Sequence, residues 1–384
     1  MIALLFGLLS SSQAAILPLE TYLEQVKSKN TGYQGAVKAK DAGLLRSHEG
    51  DLQTAFTFFV SSTVTRDAKV PQTALGVYEA TVTQNHQIGI SKNWSFGLVS
   101  KISYNLFGYE YVNPQLINFG GVLLPYNYYN TFPMIELSFP LLANGFGRTI
   151  RAGQDLAEAS ALASHFGSSF QAKIALSTAE GSYWRLSVAR ELNQIASSTL
   201  DRTQKLYDWN ARRVRLQLAD RSELLQTQAG LEQSKLSIQA ASDELRAASL
   251  AFNSARNFDA PEVTEDLQPI DSKMIDRLEI PKRAEKRDDV KAAEQSMKIS
   301  IASAKMNYEK NLPAIDLFGN YQTNGQSGYF PPSNFAASVP LAFNFAKPTY
   351  TVGVRINMPL YFGTAIDTRD GWRARSGRID LMVA

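Results

Sequence analysis

Residues 136–149 read ELSFPLLANGFGRT. Just before Pro140, the residues Met134, Glu136 and Ser138 alternate with Ile135, Leu137 and Phe139, the period-two spacing of a strand with one wet and one apolar face. Pro140, Leu141, Gly145 and Gly147 follow, and beyond Arg148 the pattern changes to a long alanine-rich helix. Near the other end, residues 355–368 read RINMPLYFGTAIDT. There Ile356 and Met358 alternate with Arg355 and Asn357, and Pro359, Leu360 and Gly363 follow. One chain thus twice runs a strand into Pro-Leu, then a glycine, then a helix. Proline ends strand pairing because it has no N–H to give, and glycine permits a change of backbone direction.

Working outward from the two junctions exposes an internal two-fold repeat. Aligning Pro140 with Pro359 matches Leu141 to Leu360, Phe139 to Met358, Ser138 to Asn357 and Leu137 to Ile356, while Glu136 falls on Arg355. The helix before the first strand matches the one before Leu312-Pro313 at an offset of about 257 to 260. In the first repeat, residues 15–256, the sequence predicts helices over 18–50, strands over about 52–66 and 131–141, and a helical hairpin over 148–256. Residues 77–107 continue as strands, and the aromatic, glycine-rich segment 108–133 reads as a long loop. Residues 257–284, with Pro261, Pro269 and Pro281, form a linker. The second repeat, 285–384, reads as a helix over 285–311, strands over 312–323 and 349–360, and a helix over 364–384 that lacks about 100 residues by comparison with the first hairpin. The second repeat is therefore expected to be incomplete.

Between 148 and 256 there is no proline. Leu186, Asn193, Leu200, Tyr207 and Val214 recur every seven residues, and Ala189, Ala196, Thr203 and Asn210 follow three positions after the first four. A second run places Leu224, Leu231, Ile238, Leu245 and Phe252 at the same interval, with Thr227, Ser234, Ala241, Ala248 and Ala255 three positions on. A sustained heptad of bulky and small residues specifies supercoiled helix packing. The first arm alone would be about 100 Å long at 1.5 Å per residue. Between the runs, Asp220 with Glu223 three residues later has the pattern of a capping box. Arg212, Arg213, Arg215 and Arg221 cluster there, as a solvated helix end or as a partner contact.

Composition narrows the function. The chain of 384 residues is 44% hydrophobic and 20% charged, which excludes a disordered chain. A net charge of +3 is too small to argue for nucleic acid. The absence of cysteine excludes disulfides, thiolate metal sites and a catalytic thiol. Residues 1–14 combine an apolar run with small residues ending Ser12-Gln13-Ala14, the pattern of a secretory signal peptide without its charged n-region. No later segment reaches the roughly 20 apolar residues of a membrane helix, so a membrane span would have to be made of strands. Alternating strands fit lipid on one face and water on the other; the rival reading is a soluble sheet with one wet face. His48, His86 and His165 have no metal-ligand spacing, and no nucleophile elbow or phosphate loop occurs. Asp288 and Asp289 suit a helix N-terminus better than an acid/base pair. The residues predict no enzyme, metal or cofactor.

The segments LSFPLLANGFGRTIRAG, RVRLQLADRSELLQTQAGLEQSKL, RDDVKAAEQSMKISIASAKMNYEKNLPAIDLFGNY and VGVRINMPLYFG, in that order over most of 18–363, resemble the TolC-like outer membrane efflux protein family. The resemblance implies an α+β fold in which outer-membrane β-barrel strands continue into a long coiled-coil helical hairpin. It implies a homotrimer, four strands per protomer in a twelve-stranded barrel within outer membrane lipid, and a periplasmic helical extension in a Gram-negative cell. By the same resemblance the chain would be a passive export duct of a tripartite efflux or type I secretion system, working with a periplasmic adaptor protein and an inner-membrane pump of RND or ABC type. Arg215, Leu216, Gln217, Leu218, Ala219, Asp220, Arg221 and Ser222 would form the tip that meets the adaptor. The family often has glycine where Gln217 stands. Glu136, Ser138, Arg355 and Asn357 would face the barrel lumen. The alternatives are a periplasmic adaptor (membrane fusion protein), a non-functional truncated remnant of a channel, and a secreted coiled-coil structural protein.

Overall fold

The computed structural model of the chain describes residues 16–69, 78–115, 117–119, 122–124, 127–269, 285–326, 332–358 and 360–381. The predicted signal peptide, Pro359 and much of the predicted linker lie outside the described residues. The chain divides into two compact units, one of residues 1–44 with 164–292 and one of 45–163 with 293–384. Compactness thus partitions the chain differently from the sequence repeat, because each unit draws on both sides of the 257–284 segment.

The first unit is mainly helical. It contains β1 (Ile16–Leu17), α1 (Leu19–Lys29), nearly all of α2 (Thr31–Leu45), the larger part of α3 (Arg148–Arg215), α4 (Arg221–Ala255), β8 (Asp266–Leu267) and the start of α5 (Asp288–Lys310). Short strands β1 and β8 pair in parallel, Leu17 opposite Leu267. Around them Leu17, Tyr22, Val26, Ala179, Tyr183, Leu186, Ala189, Ala248 and Phe252 bury one core. The Tyr22 ring stacks on Phe252 at 4.2 Å, and its hydroxyl donates to Phe252 O at 3.0 Å, so a large apolar ring is buried without an orphaned O–H. The hydroxyl's pKa is raised, burial being the first cause.

The heptads appear in burial. Leu186, Ala189, Asn210, Leu231, Ser234, Ala248 and Phe252 are buried, and the remaining seam positions are half-buried between exposed neighbours. Alternating large and small residues lets two helices pack closely along such a seam. At the start of α5, Asp288 accepts from Lys173 Nζ at 2.7 Å and Ser169 Oγ at 2.8 Å. These bonds from Lys173 first, then Ser169, hold its carboxyl below the usual carboxylate range. The acidic start of α5 is therefore a tie to α3.

The second unit is built on one antiparallel sheet. A 3-10 stretch, Arg46–Thr54, leads into β2 (Phe56–Asp67). Then follow β3 (Ala80–Asn93), β4 (Val99–Val112), β7 (Tyr128–Pro140), β9 (Ala314–Thr323) and β10 (Pro348–Asn357). Their order is β10-β9-β7-β4-β3-β2. Short strands β5 (Ile117–Phe119) and β6 (Val122–Leu124) pair apart from it, and α6 (Phe335–Ala342) and α7 (Phe362–Leu381) complete the described elements. The starts of β2 and β9, Phe56 and Ala314, fall within the offset the repeat predicts.

Six strands, not four, make this sheet. The hairpin β3–β4 inserts between the strands expected over 52–66 and 131–141, so those two are not neighbours. The segment 108–133 is also not all loop, because β4 runs to Val112 and β7 begins at Tyr128. Its tyrosines and phenylalanines are strand formers, and cross-strand pairing outweighs the turn propensity of the asparagines and glycines among them.

The two prolines of β7 sit differently toward its neighbours. Leu141 N–H donates to Ile315 O at 2.7 Å and Gly325 N–H to Thr131 O at 2.9 Å, so odd positions turn their backbone toward β9 and its extension. Even positions face β4. Pro133 lies one residue beyond the last β9 pair, Met134–Gln322, and Pro140 lies beyond the last β4 pair, Val99–Ser138. Pro140 removes no ladder hydrogen bond, whereas Pro133, opposite Thr323 on the same register, has no N–H to give β9 there, and the ladder resumes at Thr131. Pro140 does not stop pairing with β9, which continues through Leu141 and through Ala143 N–H to Pro313 O at 3.3 Å.

Candidate functional site

The register of the sheet sorts its residues into two faces. One rung crosses all six strands as Phe58, Ile90, Ile102, Ile135, Tyr321 and Tyr350. Every one is large and apolar or aromatic, and every one is exposed, from 43% at Tyr321 to 76% at Tyr350. The adjacent rung crosses as Thr57, Ser91, Lys101, Glu136, Asn320 and Thr351, all polar and all on the opposite face. Lys101 Nζ lies 3.7 Å from Glu136 Oε2 on that face. A soluble protein hides such an apolar face against a second layer. Here α6 lies against its upper part, with Phe335 at 5.0 Å from the Tyr129 ring and 6.0 Å from His86, and the rest stays open.

Glu136, Ser138, Arg355 and Asn357, expected to share one face, do share it. Glu136 stands opposite Asn320, Ser138 opposite Phe318, Arg355 opposite Asp316 and Asn357 opposite Ala314, which are successive alternate positions of β9 and its neighbours.

At the first junction, the chain leaves β7 through Leu141 and turns on two non-glycine residues in the left-handed region, Asn144 at φ 58° and Phe146 at φ 54°. Asn144 tolerates this conformation better than most residues. Its Oδ1 accepts from Thr149 N at 2.9 Å and Ile150 N at 3.3 Å, capping two orphan donors of α3. The Glu309 side chain, only 7% exposed, receives Arg148 Nε at 3.1 Å and Asn144 N at 3.3 Å. Removing either partner would leave a buried carboxylate undercompensated.

The two glycines of this junction differ. Gly147 has φ 75°, and a Cβ there would lie 1.9 Å from Ser95 O and 2.8 Å from Gly97 N. The β3–β4 turn presses backbone to backbone on the junction, and only glycine fits. A Cβ on Gly145 would meet nothing closer than 3.5 Å. At the second junction Leu360 is 81% exposed, and Gly363 lies inside α7 with open space about its Cα. Gly145 and Gly363 therefore do not provide the backbone turn expected of them; Gly147, Asn144 and Phe146 do.

Beside the first junction, Arg148, Arg151, Asp155, Lys305, Glu309 and Arg373 line a cavity of about 520 Å³. It sets no nucleophile against a base. His86 contacts Ser62 Oγ at 2.7 Å, His165 contacts Lys40 O at 2.9 Å, and His48 lies 3.4 Å from Asp51. Among the described residues no group of three or more His, Cys, Asp or Glu is placed to hold a metal. No described helix is long and apolar enough to cross a membrane, which says nothing of strands.

The hairpin tip closes after Arg215, the last residue of α3. Gln217 takes φ 57°, the left-handed conformation for which glycine is best suited. Leu218 N–H donates to Arg213 O at 2.8 Å and Gln217 N–H to Val214 O at 3.0 Å, closing the helix end. Leu216 and Leu218 project with 67% and 66% exposure, flanked by Ala219, Arg221 and Ser222. Asp220 caps α4 through Ser222 N at 3.3 Å. The reciprocal arm of the expected capping box is replaced: the Glu223 carboxylate meets Arg213 Nη1 at 3.4 Å. Arg213 also donates to Leu218 O at 3.1 Å and covers the Trp209 ring at 4.6 Å. One arginine of the basic cluster is thus committed to the turn.

Sequence reading missed a second stripe on α3. Val188, Leu192, Ile195, Leu206 and Trp209 are exposed apolar residues. Their intervals of four, three, eleven and three fit a second heptad with Thr199 and Arg202 at the intervening seam positions. The signal was present, but polar Thr199 and Arg202 interrupt it.

No family model and no curated protein matches this sequence. Solved structures do. The transmembrane channel CusC is 14% identical over 94% of this chain and 70% of its own, with a TM-score of 0.58. The outer-membrane channel OprN is 16% identical, covering 95% of this chain and 69% of that one, with a TM-score of 0.57. The MtrE outer membrane channel of Neisseria gonorrhoeae, in its open state, is 16% identical over 95% and 68%, with a TM-score of 0.54. Strand ladder, junction and long helical hairpin together give this chain the TolC-like fold of outer-membrane efflux channels.

Proposed function

We propose that this chain is a channel subunit of the outer membrane, a passive duct with no bond-making chemistry of its own. The observation that carries the reading is the pair of adjacent rungs, six apolar residues on one face and six polar ones on the other. That alternation is what a wall between lipid and water requires. Six strands cannot close alone, since closed barrels need about eight, and open edges are not tolerated in lipid. Several copies therefore share one barrel, and the TolC-like fold favours a homotrimer with a periplasmic helical extension. In this reading Glu136, Ser138, Arg355 and Asn357 line the lumen. The exposed Leu216 and Leu218 at the tip meet a periplasmic adaptor, which connects the duct to an inner-membrane pump of RND or ABC type in efflux or type I secretion.

The protein should fractionate with outer membranes as oligomers that dissociate on heating before electrophoresis. A soluble periplasmic monomer would contradict the reading. Replacing Leu216 and Leu218 together by Asp should leave those oligomers intact and reduce adaptor cross-linking and export at least tenfold, because charged residues cannot fill an apolar contact.

A further inference from the structure

The cavity beside the first junction lies between the start of α3 and the end of α5. It exists because both helices are small at their approach. Ala152 and Ala304, both buried, form its floor and leave open the volume that longer side chains would fill. That volume, about 520 Å³, is in the range of small-molecule sites. Its wall carries four cations, Arg148, Arg151, Lys305 and Arg373, against the two carboxylates of Asp155 and Glu309, a net charge of +2. Glu309 is already engaged by Arg148 and by the Asn144 N–H. The other three cations therefore share the cavity with the single carboxylate of Asp155.

Two of the cations are held in place. Arg148 Nη2 donates to Leu142 O and Arg151 Nη2 to Phe146 O, both at 3.0 Å. Each bond occupies part of a forked set of N–H donors, so the guanidinium is oriented and keeps donors for an anion. Lys305 Nζ has no hydrogen bond or ion pair among the described residues. The same bonds fix the level of the site. Leu141 and Ile315, joined by Leu141 N–H to Ile315 O, carry the apolar face to the end of the sheet, and Leu142, which Arg148 grips, is the next residue. In a membrane wall this is the level at which hydrocarbon gives way to headgroup phosphates, and basic pockets there suit phosphate.

We propose that this cavity binds a phosphate ester, with Arg151 and Lys305 holding the phosphate oxygens. A phosphate offers several acceptor oxygens, so cations from α3, α5 and α7 can engage it together, and its negative charge relieves the net charge of the wall. A phospholipid headgroup and a soluble phosphate ester present the same group. The level of the site in a membrane rests on the channel reading above; the set of cations does not.

The purified full chain in a maltoside detergent is titrated calorimetrically with glycerol 3-phosphate, and its retention of phosphatidylglycerol is measured by native mass spectrometry. Binding of glycerol 3-phosphate shows that the phosphate alone suffices; retention of phosphatidylglycerol alone makes the lipid the source. Arg151→Gln or Lys305→Gln should weaken the observed binding about tenfold, through loss of a charge-assisted bond. Asp155→Asn, which removes the opposing carboxylate, should tighten it about threefold. A misfolded variant cannot bind more tightly, so this arm separates the site from a folding defect. Arg148 is left in place, because its loss would strand the buried Glu309 carboxylate. Binding of neither ligand, or affinities unchanged in all three variants, would overturn the site. Those results leave the channel reading standing, whereas a chain that binds phosphate but never enters the outer membrane would defeat the channel reading and keep the site.

Discussion

At Gly147 two requirements coincide: a positive φ and a backbone neighbour inside the space of a Cβ. Gly147→Ala should destabilise the junction by about 3 kcal/mol or more, from the left-handed penalty plus the clash with Ser95. Gly145→Ala, with room for its methyl, should be within about 0.5 kcal/mol of wild type. Thermal unfolding of the detergent-solubilised oligomer measures both, and equal effects would refute the assignment. Gln217→Gly should raise the stability of the tip by up to about 1 kcal/mol by removing left-handed strain, the greater freedom of glycine in the unfolded chain offsetting part of the gain. Protease protection of the tip reports it. At this scale the sequence was only partly legible. Two glycines two residues apart in one loop look alike on paper, and which one turns is decided by the Ser95–Gly97 backbone, distant in sequence. The buried Glu309 was likewise invisible, because its partners Arg148 and Asn144 lie across the repeat.

Elements were more legible than residues. The heptad positions of α3 and α4 are the buried and half-buried ones, because a period sustained over several turns is hard to satisfy by chance. The polar face of β7 and β10 also follows from period two alone. The missed features are those in which strand propensity competes with turn propensity, as in Gly108–Val112 and Tyr128–Pro133, where cross-strand aromatics decide. The start of α5 carries a pH dependence. Asp288 has a depressed pKa through Lys173 and Ser169, so its stabilising contribution is complete above the ordinary aspartate value of the unfolded chain and declines as pH falls through the lower folded value. Asp288→Asn should therefore lower helical stability at pH 7 and flatten the acid limb below about pH 4. Circular dichroism melts across pH check this; an unchanged acid limb in the variant would show that Asp288 makes no such contribution.

For the whole molecule, the central inference is that one sheet separates lipid from water. Its evidence is collective. Ile102 at 60% exposure means little alone, since scattered surface apolar residues are normal. It becomes informative when Phe58, Ile90, Ile135, Tyr321 and Tyr350 occupy the same rung and the next rung is polar throughout. Single strands show the alternation in the sequence, but the strand count and the rung do not, because register depends on pairing across the β3–β4 hairpin.

The most direct measurement labels single cysteines placed one at a time along β4 and β7 of the membrane-embedded protein, since the chain has no other thiol. Cys at Lys101, Glu136 and Ser138 should react with a charged, water-soluble maleimide. Cys at Ile102, Ile135 and Leu137 should resist it and report an apolar environment to a solvent-sensitive fluorophore. Reactivity alternating with a period of two on both strands is the result this account predicts, and equal aqueous reactivity at successive positions would contradict it.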